Sequence, residues 1–234
     1  MNIRSKFLSG FTLVEMAVVL VILGLLLGGL LLPLSAQLEQ QRRSETRKIL
    51  EDAKEALQGY AITNNHLPCP DRQSGGSGGT NDTANDGVED FTVGGACATQ
   101  YGNLPWSTLG IVSQDGWGTI MLYKVTAAFS DRTPLTTFSM ASAGTLRVCN
   151  ERTCAAPRLT DTAAAVIFSL GPNEGFCSSG ACLDELENTD TDNDFVSHIP
   201  TANGSGNTEY FDDLTVWISE PILKSKMVSA GKLP

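Results

Sequence analysis

Gly10-Phe11-Thr12-Leu13-Val14-Glu15 opens the run GFTLVEMAVVLVILGLLLGGLLLPL, residues 10–34, and no later stretch of the chain is comparably apolar. A helix of about 20 apolar residues crosses a bilayer, and 11–34 meets that length. The residues before it, MNIRSKFLSG, are polar and basic through Arg4 and Lys6. An ordinary export signal carries its cleavage site after the apolar region. Here the candidate junction, between Gly10 and Phe11, comes before it, so a cut there leaves the apolar helix attached. Glu15 is the one carboxylate inside the run. In lipid such a group is costly unless neutralised or paired. Either it reaches water or headgroups near the interface, or it meets a cation supplied by another subunit. Pro33 removes the donor that would reach Gly29, and Gly28 and Gly29 are weak helix formers, which predicts a local soft spot.

Beyond residue 34 the chain becomes charged but keeps a helical period. Ile49, Leu50, Ala53, Ala56, Leu57, Tyr60 and Ala61 recur at three- and four-residue steps and share one face. Arg42, Arg43, Glu45, Arg47, Lys48, Glu51 and Asp52 fall mostly on the others, as a solvated face would. The prolines of His66-Leu67-Pro68-Cys69-Pro70-Asp71 end the helix. Residues 73–90, with SGGSGG and NDTANDG, read as a surface loop. The formal G-x-S-x-G at 75–79 has no strand before it and makes no nucleophile elbow. Strand candidates follow at 120–127, 136–142, 146–149, 164–169 and 214–218.

From residue 64 onward there are 20 acidic and 9 basic side chains, a net charge of −11. Such a surface repels phosphate backbones, so no nucleic acid is expected as a partner. Charge does not orient the chain, because Arg4 and Lys6 precede the apolar run while Arg42, Arg43, Arg47 and Lys48 follow it. Six cysteines, Cys69, Cys97, Cys149, Cys154, Cys177 and Cys182, all lie beyond the run. An even number on one side of an anchor points to disulfides in an oxidising compartment. Cys149/Cys154 and Cys177/Cys182 have the same short spacing, which can close a small loop with normal bridge geometry. Cys69 and Cys97 remain as the third pair. Other connectivities stay open, and two close pairs could also hold a tetrahedral zinc ion.

Glu185, Glu187, Asp190, Asp192 and Asp194, with Asp212 and Asp213 further on, form the other chemically suggestive group. The alternating Asp190, Asp192 and Asp194 can turn several oxygens to one point, which suits calcium. This is not an EF-hand loop, since Phe195 stands where glycine is needed and Thr201 where the closing glutamate belongs. A solvated acidic loop is the alternative. The two histidines, His66 and His198, sit in no helical metal motif, so no enzyme is expected.

Gly10 to Glu15, followed directly by the apolar helix, resembles the processing site of type IV prepilins and pseudopilins. The resemblance implies cleavage after Gly10 by a prepilin peptidase and N-methylation of Phe11. It also implies that Glu15, fifth in the cleaved chain, pairs with the free amine of a neighbouring subunit. Asp115-Gly116-Trp117-Gly118 with Tyr123 is similar to the segment leading into the sheet of type II secretion major pseudopilins. Ser169-Leu170-Gly171-Pro172-Asn173 and Asp212-Asp213-Leu214-Thr215-Val216-Trp217 resemble their C-terminal region, which carries a structural calcium. The loop here is longer and includes Cys177/Cys182, so ligands are not carried over, and Asp190, Asp192 and Asp194 stand as the candidates.

The expected fold is α+β and pilin-like: one long N-terminal helix packed on an antiparallel sheet with disulfide-tied loops. Residues 1–10 are expected to be a leader, 11–36 the membrane and assembly half of the helix, 37–63 its amphipathic half, and 64–234 a β-rich domain. The resemblance implies a single pass through the bacterial inner membrane, with the domain in the periplasm or outside the cell. The partners it implies are other pilin or pseudopilin subunits, the prepilin peptidase and the inner-membrane assembly platform. The expected function is a structural subunit of a pilus-like or secretion pseudopilus filament. A low-abundance minor pilin acting as a tip adhesin is the alternative, and a membrane-tethered envelope enzyme a third reading.

Overall fold

A computed structural model describes residues 10–74, 79–80, 83–132, 138–174, 182–201 and 210–233, the side chains of 26–34 and 79–80 excepted. Residues 1–9 of the expected leader and Cys177 lie outside the described residues, as do the side chains of the soft spot expected at Gly28, Gly29 and Pro33. The chain divides into two compact units, Met1–Arg43 and Ser44–Pro234. Helix α1, Leu13–Asn64, contributes to both.

In the first unit the side chains of α1 from Leu13 to Leu25 are exposed and, Glu15 apart, apolar, with Leu13, Val14, Leu20 and Leu25 among them. A contiguous surface of this kind marks a site of contact with lipid or protein. Among the described residues no helix is long and apolar enough to cross a membrane. Residues 26–34 of the expected span are among those whose side chains are not described.

The second unit holds the sheet. In chain order its elements are β1 (Gly79–Thr80), β2 (Phe91–Thr92), β3 (Tyr101–Asn103), α2 (Trp106–Leu109), β4 (Leu122–Val125), α3 (Ala127–Ser130), β5 (Leu146–Cys149) and β6 (Thr160–Ser169). A 3-10 turn at Gly171–Asn173, α4 (Leu183–Thr189), β7 (Asp194–Val196), β8 (Leu214–Ser219) and α5 (Glu220–Ser229) complete it. β6 is the central strand. β4 and β8 flank it antiparallel, with Leu122 opposite Phe168 and Val216 opposite Ile167. β5 pairs antiparallel with the start of β6, and β3 with β4. β7 joins β5 in parallel, which requires a crossover, and the chain makes one through β6 and α4. The sheet is therefore mixed and mostly antiparallel.

Alternation along β6 divides the core in two. Ala165 and Ile167 face Leu50, Ala53, Leu57 and Ala61 of α1, all fully buried. Val166 and Phe168 point the other way, against Leu146, Val148 and Phe195. Burial on both faces explains why this strand reads as an unbroken apolar run. Four of the five strand candidates meet strands. The fifth does not: its described part, 138–142, is a turn in which the Ser142 N–H donates to the Ser139 carbonyl at 3.0 Å. Residues 136–137 lie outside the described residues.

The Asp115-Gly116-Trp117-Gly118 turn ties helix to sheet. Asp115 accepts from the N–H groups of Trp117 and Thr119, both at 2.9 Å, and from the Ser169 hydroxyl at the end of β6. The Gly116 N–H donates to the buried hydroxyl of Thr46 on α1 at 2.9 Å. Disulfides join Cys69 to Cys97 and Cys149 to Cys154, with Cα atoms 5.2 and 5.1 Å apart. Cys182 is also disulfide-bonded.

Candidate functional site

The helix entry is built by a reciprocal pair. Thr12 precedes the first turn, and its carbonyl accepts the Met16 N–H at 3.2 Å. The Thr12 hydroxyl oxygen accepts from the Glu15 N–H at 3.2 Å. In return one Glu15 carboxylate oxygen, Oε2, accepts from the Thr12 N–H at 2.8 Å and from its hydroxyl at 2.7 Å. This is a capping box, which satisfies two otherwise orphaned donors of a helix start. The other Glu15 oxygen accepts no hydrogen bond from the described residues. Gly10 and Phe11 are exposed just before this turn, Phe11 at 81%.

The acidic residues fall into two groups on either side of α4. In the first, oxygens of Glu185, Asp212 and Asp213 lie within 4.8 Å of one another, and all three residues are buried. Asn173 donates to Glu185 at 2.8 Å, the Asp212 N–H donates to Glu185 at 2.9 Å, and Tyr210 donates to Asp212. Asn188, itself fully buried, donates to Oδ2 of Asp213 at 2.7 Å and accepts the Val196 N–H at 2.7 Å, which fixes α4 against β7. Oδ1 of Asp213 has no hydrogen-bond partner among the described residues. Gly171, at φ +64°, leaves the space: a Cβ there would stand 2.4 Å from Oδ1 of Asp212. Burial, and then the negative charge of Asp212, pushes Glu185 up to about 7. Burial first, then Glu185 and Asp212, raises Asp213 well above the usual range. The charges acting on both are negative.

This group fits a divalent cation. Calcium takes six to eight oxygens, carboxylates foremost, and three buried carboxylates converging within 4.8 Å repel one another. The structure draws Glu185, Asp212 and Asp213 together from the wider acidic set; nothing in their spacing along the chain signals it.

The second group is Glu187, Asp192 and Asp194, again with oxygens within 4.8 Å. Of the three aspartates singled out in the sequence, Asp192 and Asp194 belong to it and Asp190 does not. Asp190 and Asp192 act as turn formers. Asp190 accepts the Asp192 N–H at 3.0 Å, and Asp192 accepts the Asp194 N–H at 2.7 Å. Asp194 is held by two parallel bonds from Arg147 of β5. Lys124 of β4 donates to the carbonyls of Thr191 and Asp192. Glu187 is raised to about 6, first by burial and then by Asp190, Asp192 and Asp194.

Residues 9–31 match the family described as "Prokaryotic N-terminal methylation motif". That motif is the mark of type IV prepilins and pseudopilins, and the match is confined to the N-terminal segment. It implies an N-terminus that is anchored in a membrane and processed by a peptidase, and a structural protein rather than an enzyme. No curated protein and no solved structure matches the chain. The likeness of the C-terminal part to major pseudopilins therefore rests on the residues alone.

Proposed function

We propose that this chain is a structural subunit that polymerises through its N-terminal helix into a type IV pilus-like or type II secretion pseudopilus filament. The observation that carries this reading is the methylation motif over residues 9–31, with Glu15 as the one carboxylate in an apolar helix. Cleavage after Gly10 would expose the Phe11 amine, the site of methylation. Glu15 bonds to Thr12 through one oxygen, and the other is available to the Phe11 amine of a neighbouring subunit. A buried carboxylate and a buried ammonium become tolerable chiefly by meeting. The remaining partners in this reading are the prepilin peptidase and the inner-membrane assembly platform. Residues 1–10 act as leader, 11–36 as anchor and assembly helix, 37–63 as its amphipathic continuation and 64–234 as the exported domain.

Within that domain the reading includes calcium at Glu185, Asp212 and Asp213. Three converging buried carboxylates and the unpartnered oxygen of Asp213 support it. The ion would supply positive charge to three converging carboxylates.

The test is shear fractionation of cells producing the wild type or Glu15→Ala, followed by immunoblot against the domain. The wild type is expected in sheared filaments or, for a pseudopilus, in an envelope fraction that cross-links as a ladder. Glu15→Ala is expected to be inserted and cut but to give less than a tenth of the assembled material. Normal assembly by that variant removes the role of Glu15, and no assembly by the wild type removes the filament reading.

A further inference from the structure

Lys124 lies in the middle of β4, between Tyr123 and Val125, with 5% of its surface exposed. An ammonium is strongly hydrated, so a strand interior suits it poorly unless oxygens replace the lost water. The oxygens come from one place, the turn that follows α4. The Lys124 ammonium donates to the carbonyls of both Thr191 and Asp192. Burial lowers its pKa, while Asp192 and Asp190 act in the opposite direction. Thr191 adopts φ +71°, a left-handed conformation that is a genuine outlier for a β-branched residue. Such a conformation persists only where its surroundings over-determine it. Here the ammonium holds the Thr191 carbonyl, and the Asp190 and Asp192 side chains close the backbone on either side. Carbonyls pointing inward, alternating aspartates and a nearby Glu187 form the kind of oxygen-rich turn that a calcium loop presents.

We propose that the Lys124 ammonium is the resident cation of the 190–194 turn, standing where a metal ion would otherwise sit. The turn then keeps its shape without metal, and among the described residues the divalent-ion capacity falls to Glu185, Asp212 and Asp213. Arg147 completes the arrangement by neutralising Asp194, the most buried carboxylate of the turn. The inference goes beyond the filament reading and is independent of it.

The test counts ions on the full chain in detergent, using Tb³⁺ luminescence sensitised by Tyr101 and Tyr210 and Ca²⁺ by equilibrium dialysis. Wild type and Lys124→Arg are expected to take one ion. Lys124→Met is expected to take two, the second in the roughly 10⁻⁴–10⁻³ M range of extracellular calcium modules. Adding Asp212→Asn and Asp213→Asn should remove the first ion and leave the second. A wild-type count of two overturns the proposal, as does a folded Lys124→Met chain that still takes one. A wild-type count of none, with Lys124→Met gaining one, rejects the Glu185 site while supporting the role of Lys124. Hydrogen exchange of wild type alone supplies a check that needs no variant to fold. The amides of Asp192 and Asp194 should be as protected in chelator as in Ca²⁺, and a loss of more than tenfold in chelator overturns the proposal.

Discussion

Two acidic groups flank the same short helix, and their chemistry differs although their residues do not. Glu185 and Glu187 are two positions apart on α4, yet one meets Asp212 and Asp213 and the other meets Asp192 and Asp194. The Glu187 group lies beside two cations from the sheet: Arg147 grips Asp194, and Lys124 the carbonyls of 191 and 192. Glu185, Asp213 and Glu187 are all pushed toward the protonated form by burial and like charges. The difference lies in the cations that hold Asp194 and the 191–192 carbonyls, whereas among the described residues Asp213 is held by the Asn188 amide. The comparison teaches that composition does not make a metal site. What matters is whether the fold delivers a counter-charge to the carboxylates or withholds it.

The sharpest way to break the contrast is metal itself. With free Ca²⁺ at about 100 times its dissociation constant, binding to the folded state adds about 2.7 kcal/mol. For a chain of this size that raises the melting temperature by roughly 5–10 °C over the chelated protein. An unchanged melting temperature removes the Glu185 site.

Acidity gives the next effect. The ordinary value of Glu185 is 4.5, and its folded value is about 7, so the metal-free folded state holds the proton more tightly than the unfolded chain. The stability this contributes is fully present below pH 4.5 and is lost as pH rises through about 7. Urea midpoints of chelated protein should therefore fall across that interval. In excess Ca²⁺ the trend should weaken or reverse, because the ion binds the deprotonated carboxylates. Parallel pH curves with and without Ca²⁺ would contradict the assignment.

Smaller effects belong to the second group. Arg147→Ala removes the two parallel hydrogen bonds to Asp194, a pair exposed on the arginine side, and should cost about 1 kcal/mol. The Ca²⁺-dependent shift in melting temperature should survive intact, and its disappearance would merge the two groups into one site. Asp190→Ala removes one exposed turn bond and should change stability by about 0.5 kcal/mol or less, with Ca²⁺ affinity unaltered. A tenfold loss of affinity would restore Asp190 as a ligand.

How far each feature was legible follows from the range of the contacts that make it. The buried stripe Leu50, Ala53, Leu57 and Ala61 on α1 is a periodicity visible in a few turns. β5 was legible to the residue because turn formers bound it on both sides. The parallel strand β7 was not, since Asp194, Phe195 and Val196 carry no alternation and owe their pairing to the α4 crossover. Helix α5 begins at Glu220-Pro221, directly after β8, and its weak apolar periodicity concealed it. Asp190, Asp192 and Asp194 attracted attention because alternation is a local signal. Lys124, Arg147 and Asn188, which decide what those acids can do, lie far from them or show no pattern.

The sequence by itself determined the N-terminal half of the story: a basic first ten residues, a Gly10–Phe11 pair, an apolar helix and a single carboxylate at a fixed distance from its start. Those features are contiguous, so the first 34 residues carry them whole. Only the tertiary structure decided which carboxylates share a site. Glu185 and Asp212 are separated by 27 positions, and Lys124 reaches its two carbonyls across 67 and 68. Contacts over such distances depend on strand register and helix placement, and a one-residue slip in a strand would turn Lys124 to the opposite face.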